Sequence, residues 1–176
     1  MKIIQYLLLL FICLNFSFCR TATVQKDDRI FDFNTVEKYR ITKENSTIVN
    51  DYDFIFNHEE ELELTKTLHD YNIKTTNQIV IVTVGSIEPY KNLQKFASDL
   101  GRYWGVGTKE KDNGLIIVLC KPCRKISIAT GFGTEKILTD EICAEIIDNT
   151  IIPEFKKDNY YSGVKKGLEE IIRKWK

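Results

Sequence analysis

The sequence predicts an α/β fold: a three-layer α-β-α sandwich with a small mixed sheet flanked by helices on both faces. Three observations predict it. A nearly continuous β-branched run spans Gln78 to Val84, amphipathic helical patterns lie before and after it, and two further apolar runs are joined by a very short connection.

Each element follows from local signals. Asn57 with Glu60 three residues later is a helix start, the amide oxygen capping a free backbone N–H while the glutamate reaches back. A helix from about His58 to Tyr71 follows, with Leu62, Leu68 and Tyr71 expected inward. QIVIVTV, Gln78 to Val84, reads as the central strand, buried on both faces. Past the Pro89 turn, Leu93, Phe96, Ala97, Leu100 and Trp104 recur at helical spacing, so Lys91 to Trp104 predicts an amphipathic helix packed on the sheet. Leu115 to Leu119 and Lys125 to Ala129 are two more strands, and Cys120 to Arg124 between them is too short for anything but an antiparallel hairpin. Thr139 caps a helix carrying Asp140 and Glu141 in its first turn, with Ile142, Ile146, Ile147 and Ile151 as its buried stripe and Pro153 as its stop. A last helix, from about Tyr161 to Lys176, turns Val164, Leu168, Ile171, Ile172 and Trp175 the same way.

With 176 residues, 43% hydrophobic and 28% charged, the chain suits one compact domain. Its 25 basic residues balance its 25 acidic ones, so no global field draws nucleic acid or an anionic membrane, and nucleic acid is not an expected partner. Met1 and Lys2, followed by the mostly apolar stretch from Ile3 to Phe18, read as a secretory signal peptide over residues 1–19, with Ser17 and Cys19 as the small residues before cleavage. The rival reading keeps Cys19 as a lipid-anchored residue. No other segment is long enough to cross a bilayer, so membrane attachment is expected only through that anchor or an uncleaved signal. Residues 20–47 show no clear stripe and are expected to form a poorly ordered N-terminal arm, with a sequon at Asn45-Ser46-Thr47; the domain proper is 48–176. The expected location is extracytoplasmic: periplasm, cell surface or secreted.

The hairpin has a consequence for chemistry. It places the entrance of its first strand, Lys111-Asp112-Asn113-Gly114, beside the exit of its second, Gly131 to Glu135, at one end of the sheet. Asp112, Asn113 and Glu135 then converge on one rim, with Asp140 at the nearby helix start. Oxygen ligands on loops suit calcium or magnesium, whereas zinc would want histidine or thiolate. The plainer alternative is that Asp112-Asn113-Gly114 is a turn and Gly131-Phe132-Gly133 a loop.

Other motifs carry less. Cys120 and Cys123 form a CxxC in a strand-to-strand turn rather than at a helix N-terminus, which leaves a local disulfide or two thiols and disfavours thioredoxin chemistry. Cys143 reads as a buried small hydrophobe, and His58 and His69 as surface helix residues. Asp51-Tyr52-Asp53-Phe54-Ile55 superficially resembles an aspartyl-phosphate DxDx(T/V) element, but Ile55 replaces the hydroxyl or valine and no strand-based lysine motif follows. No cysteine is followed six residues later by arginine, so a cysteine phosphatase is excluded.

Six blocks in order resemble the TPM domain family: IVNDYDFIF (Ile48 to Phe56), QIVIVTV, YWGVGTKEKDNGLIIVL (Tyr103 to Leu119), KISIATGFGTE (Lys125 to Glu135), ILTD (Ile137 to Asp140) and IIPEFKKDNYYSGV (Ile151 to Val164). The family includes thylakoid-lumen proteins tied to photosystem II repair and described as acid phosphatases, extracytoplasmic bacterial domains, and an auxiliary protein of acetylcholine receptors. The resemblance implies a mixed sheet between helices and an acidic cleft for calcium or magnesium. On that likeness Asp51, Asp112, Asn113 and Glu135 are the metal ligands, with Asp140 a further candidate. This chain has GFG where GYG is usual and lacks the C-terminal membrane helix and glycine-rich tail of many bacterial members. The function expected is cation binding by an exported accessory or assembly factor with a protein partner in the envelope. The alternative is a metal-assisted phosphomonoesterase, in which the ion polarises a phosphoryl oxygen and activates water.

Overall fold

A computed structural model describes residues 47–176. The signal peptide, the Cys19 alternative, nearly all of the arm and the Asn45 acceptor lie outside the described residues. Strands β1 (Val49–Asp51), β2 (Gln78–Thr83), β3 (Gly114–Cys120) and β4 (Lys125–Thr130) form one sheet in the order β1-β2-β3-β4. The first three are parallel, and β4 returns antiparallel to β3. The sheet is therefore mixed, as expected, with one strand more than the pattern predicts. β1 adds only Val-Asn-Asp, too short for alternation to be read, and its middle residue Asn50 is buried with its amide clamped on the backbone of Thr47.

Helices cover both faces. On one lie α1 (His58–Thr75), α4 (Asp140–Ile146) with the π-helical turn Ile147–Ile151 and the short α5 (Ile152–Phe155) that continue it, and α6 (Tyr160–Lys174). They bury Ile79, Ile81, Leu115, Ile117, Leu119 and Ile128 of the sheet. The other face belongs to α2 (Leu93–Trp104), which packs on Val82, Ile116, Val118 and Ala129. The turn α3 (Phe132–Glu135) follows β4. The β1-α1-β2 and β2-α2-β3 connections step the same way between parallel strands, yet their helices lie on opposite faces. The two crossovers are thus of opposite hand, and one breaks the right-handed rule for such units.

The helix starts are those the caps specify. Glu60 N donates to Asn57 Oδ1 at 3.0 Å and Asn57 N to Glu60 Oε2 at 2.8 Å, closing the capping box of α1. Asn92 caps α2 at Lys95 N (3.0 Å), and Thr139 caps α4 at Ile142 N (3.4 Å).

Two expectations are corrected. Leu62 is 56% exposed, and Leu64, at proper helical spacing from Leu68 and Tyr71, takes the inward place. Pro153 does not end the helix. The π-helical turn lets Ile152 N reach Ile147 O, and the proline, which has no N–H to place, sits in the first turn of α5.

Candidate functional site

The turn at residues 121–124 does bring the two loops together. Gly131 N donates to Gly114 O at 2.8 Å, and Gly133 N and Thr134 N reach the carbonyl of Asp112 at 3.1 and 3.3 Å. The buried Thr134 hydroxyl adds a bond to Gly114 O at 3.0 Å. The contact is backbone on backbone. A Cβ on Gly133 would lie 1.8 Å from the Lys111 carbonyl oxygen, and one on Gly131 2.3 Å from that of Asp112.

That closeness leaves a sealed seam rather than an open cleft. Asn113 is buried; its Oδ1 accepts from Thr108 N at 3.0 Å, and its Nδ2 donates to Thr76 O at 2.8 Å and Asn77 Oδ1 at 3.3 Å. Every polar atom of that side chain is committed to holding the α1–β2 turn against the β3 entrance. Asp112, with φ at 47°, serves the seam through its carbonyl while its side chain is exposed. Glu135 in α3 and Asp140 in the first turn of α4 are exposed too.

Asp51 does not join them. Register pairs Asp51 with Thr83 and Thr83 with Leu119 at the carboxyl ends of the parallel strands, whereas Gln78 pairs with Gly114 at the amino ends. The length of β2, roughly 17 Å, separates the two poles. The expected five-residue ligand set is thus divided, and among the described residues no three His, Cys, Asp or Glu side chains are grouped to hold a metal ion.

The carboxyl-end pole has chemistry of its own. Asp51 Oδ1 and Oδ2 accept from Ile55 N (3.0 Å) and Phe56 N (2.7 Å), and the Thr83 hydroxyl donates to Oδ1. The same hydroxyl oxygen accepts from Asp53 N at 3.1 Å. Asp53 is half-buried, with one carboxylate oxygen 2.9 Å from where a Cβ would stand on Gly85. Among the described residues its carboxylate has no hydrogen-bond or ion-pair partner. The neighbouring Tyr52 hydroxyl also lacks one, and burial pushes its pKa up. Sequence reasoning passed over Asp53 with the rejected phosphatase motif. The signal was the two-residue spacing of Asp51, the last residue of β1, and Asp53 in the turn that follows it.

Cys120 and Cys123 are joined in a disulfide at this pole, one of the two alternatives left open. Cys143 is buried, and His58 and His69 are exposed on α1. No helix of the described residues is long and apolar enough to cross a membrane.

A mixed four-stranded sheet between helical layers, closed at one end by a glycine seam and carrying carboxylates at the other, defines an α-β-α sandwich domain. The chain belongs to the TPM domain family, whose profile matches residues 49–174. It is similar to the N-terminal domain of a P. gingivalis protein at 26% identity, TM-score 0.69, covering 77% of this chain and 88% of that one. The N-terminal domain of the cg2496 protein of Corynebacterium glutamicum shares the fold at 15% identity, TM-score 0.59, over 75% of this chain and 82% of that one. The BA42 protein of Bizionia argentinensis does so at 19% identity, TM-score 0.60, over 70% and 88%. None of the curated proteins matches.

Proposed function

We propose that this TPM domain is an exported accessory or assembly factor for envelope proteins that binds a divalent cation, calcium or magnesium, at the carboxyl-end pole through Asp53, with Asp51 beside it. The observation that carries the reading is the half-buried Asp53 carboxylate with no partner among the described residues. A carboxylate taken partly out of water and left unpaired raises the free energy of the fold, and an ion would offset that cost. Open α/β sheets also take ligands outside the carboxyl ends of their strands. Two carboxylates without a third protein ligand suit an ion that keeps several waters, as magnesium does, or one completed by backbone carbonyls, as calcium allows. Export rests on the apolar N-terminal segment, and the accessory role on family likeness.

The test is thermal melting in calcium, magnesium and chelator, with each pole disabled in turn. Calcium or magnesium raises the midpoint of the natural protein by several degrees, Asp53→Asn abolishes the rise, and Asp112→Ala keeps it. Identical melting in all three solutions refutes the proposal, and loss of the shift in Asp112→Ala alone moves the site to the seam. Hydrolysis of para-nitrophenyl phosphate, lost in Asp53→Asn, would replace binding by the phosphomonoesterase reading.

A further inference from the structure

The outer edge of the sheet presents a feature that the cation reading does not use. Because Gly114 and Gly131 form a hydrogen-bonded pair, alternation along the antiparallel ladder also makes Ile116/Ala129, Val118/Ser127 and Cys120/Lys125 hydrogen-bonded pairs. Ile126, Ile128 and Thr130 therefore turn their amides and carbonyls away from β3, to the side of the edge strand that no other strand pairs; Ile126 and Thr130 are half-buried there, and Ile128 is 3% exposed where Gln94 crosses it. Along this edge runs a groove of about 450 Å³ between the start of α2 and the π-helical turn. Its apolar wall is Ile126, Ile147 and Ile152, and its charged wall is Lys91, Arg124 and Lys125, with no carboxylate lining it. Among the described residues none of these three cations makes an ion pair or side-chain hydrogen bond, although the chain as a whole balances 25 basic against 25 acidic residues. One outward group is already taken: Gln94 Nε2 donates to Ile128 O at 3.2 Å, and its Oε1 accepts from the Ser127 hydroxyl.

We propose that the unpaired edge of β4 is a docking site for an extended acidic segment of a partner protein, added as a fifth strand whose carboxylates meet Lys91, Arg124 and Lys125 once Gln94 has swung aside. Unpaired edge amides supply the affinity of strand addition, and the side-chain walls supply its selectivity. Cations on an edge strand also deter pairing with a second copy of the same edge, so the device that guards β4 against self-association selects a partner of opposite charge. Gln94 holds the place of the incoming strand at Ile128 and must be displaced.

The test is an NMR titration of the full mature chain with an end-blocked octapeptide alternating valine and glutamate, and with its valine–lysine counterpart. Expected are saturable shifts at the amides of Ile126, Ile128 and Thr130, slowed hydrogen exchange at those of Ile126 and Thr130, at least tenfold weaker binding of the lysine peptide, and a similar loss in the double variant Arg124→Glu, Lys125→Glu. Gln94→Ala frees the Ile128 carbonyl and tightens binding several-fold. Equal affinity for both peptides, no saturable shifts up to millimolar peptide, or no effect of the double variant overturns the proposal. So does protection of the half-buried Ile126 and Thr130 amides without peptide, whether it disappears on dilution, marking a second copy, or on removal of residues 20–46, marking the chain's own arm.

Discussion

Asn113 and Asp53 show how one residue serves architecture and another is left open to a ligand. Asn113 donates to two oxygens, Thr76 O and Asn77 Oδ1, so replacing its amide with a carboxylate sets oxygen against oxygen in a buried place. Asn113→Asp should cost about 2 kcal/mol, read by chemical denaturation at neutral pH. Asp53 should behave in the opposite way: in chelator, Asp53→Asn melts at or slightly above the natural protein, because no contact is lost and an unpaired charge is removed. Cys143 supplies a pH-dependent check on the core. Burial, with Asp140 beside it, pushes its thiol up to about 11 from an ordinary 9.0. Its stabilising effect is therefore complete below pH 9 and lost as pH rises toward 11, because the unfolded thiol ionises first. Between pH 8 and 10.5 the natural protein should lose about 2 kcal/mol more than Cys143→Ala.

At the scale of elements, the seam between the β3 entrance and the β4 exit is the most demanding junction. Gly133→Ala drives a methyl into the Lys111 carbonyl and should destabilise by about 3 kcal/mol, measured by chemical denaturation, while leaving the far pole's response to calcium intact. Helix starts at Asn57 and Thr139 were legible because a cap is a local event in which the side chain and the N–H it satisfies are three residues apart. The hairpin was legible because a connection so short permits one geometry. Pro153 misled because its rule presumes an α-helix; the wider turn at Ile147–Ile151 suspends that rule, and nothing in Ile-Asp-Asn-Thr-Ile announces it. Leu62 misled because α1 carries apolar residues on more than one side, and only its packing against the sheet and α6 decides between them.

For the whole molecule, the governing fact is that strand polarity creates two ends with different uses. At the amino ends of β2 and β3 the backbone is drawn together by hydrogen bonds; at the carboxyl ends of β1 and β2 Asp51 and Asp53 meet the Thr83 hydroxyl, one through its carboxylate and the other through its backbone N–H, and the Cys120–Cys123 disulfide lies at the same pole. The fold class was readable from periodicity, since seven of the elements announce themselves along the chain. The division of the site was not. Placing Asp51 opposite Asp112 needed the parallel pairing of β1 with β2, a long-range contact made by three residues with no readable pattern. The opposite hands of the two crossovers were equally hidden, because a continuous apolar run shows that a strand is buried on both faces but not which helix covers which face.

The most direct test of the central claim is a calcium titration followed residue by residue by amide NMR. Cation binding at the carboxyl-end pole predicts saturable shifts at Asp51 to Phe56 and at Gly85 and Ser86, absent in Asp53→Asn, with Asp112 to Gly114 and Gly131 to Glu135 unmoved. Shifts confined to those last two stretches, or none anywhere, would contradict it.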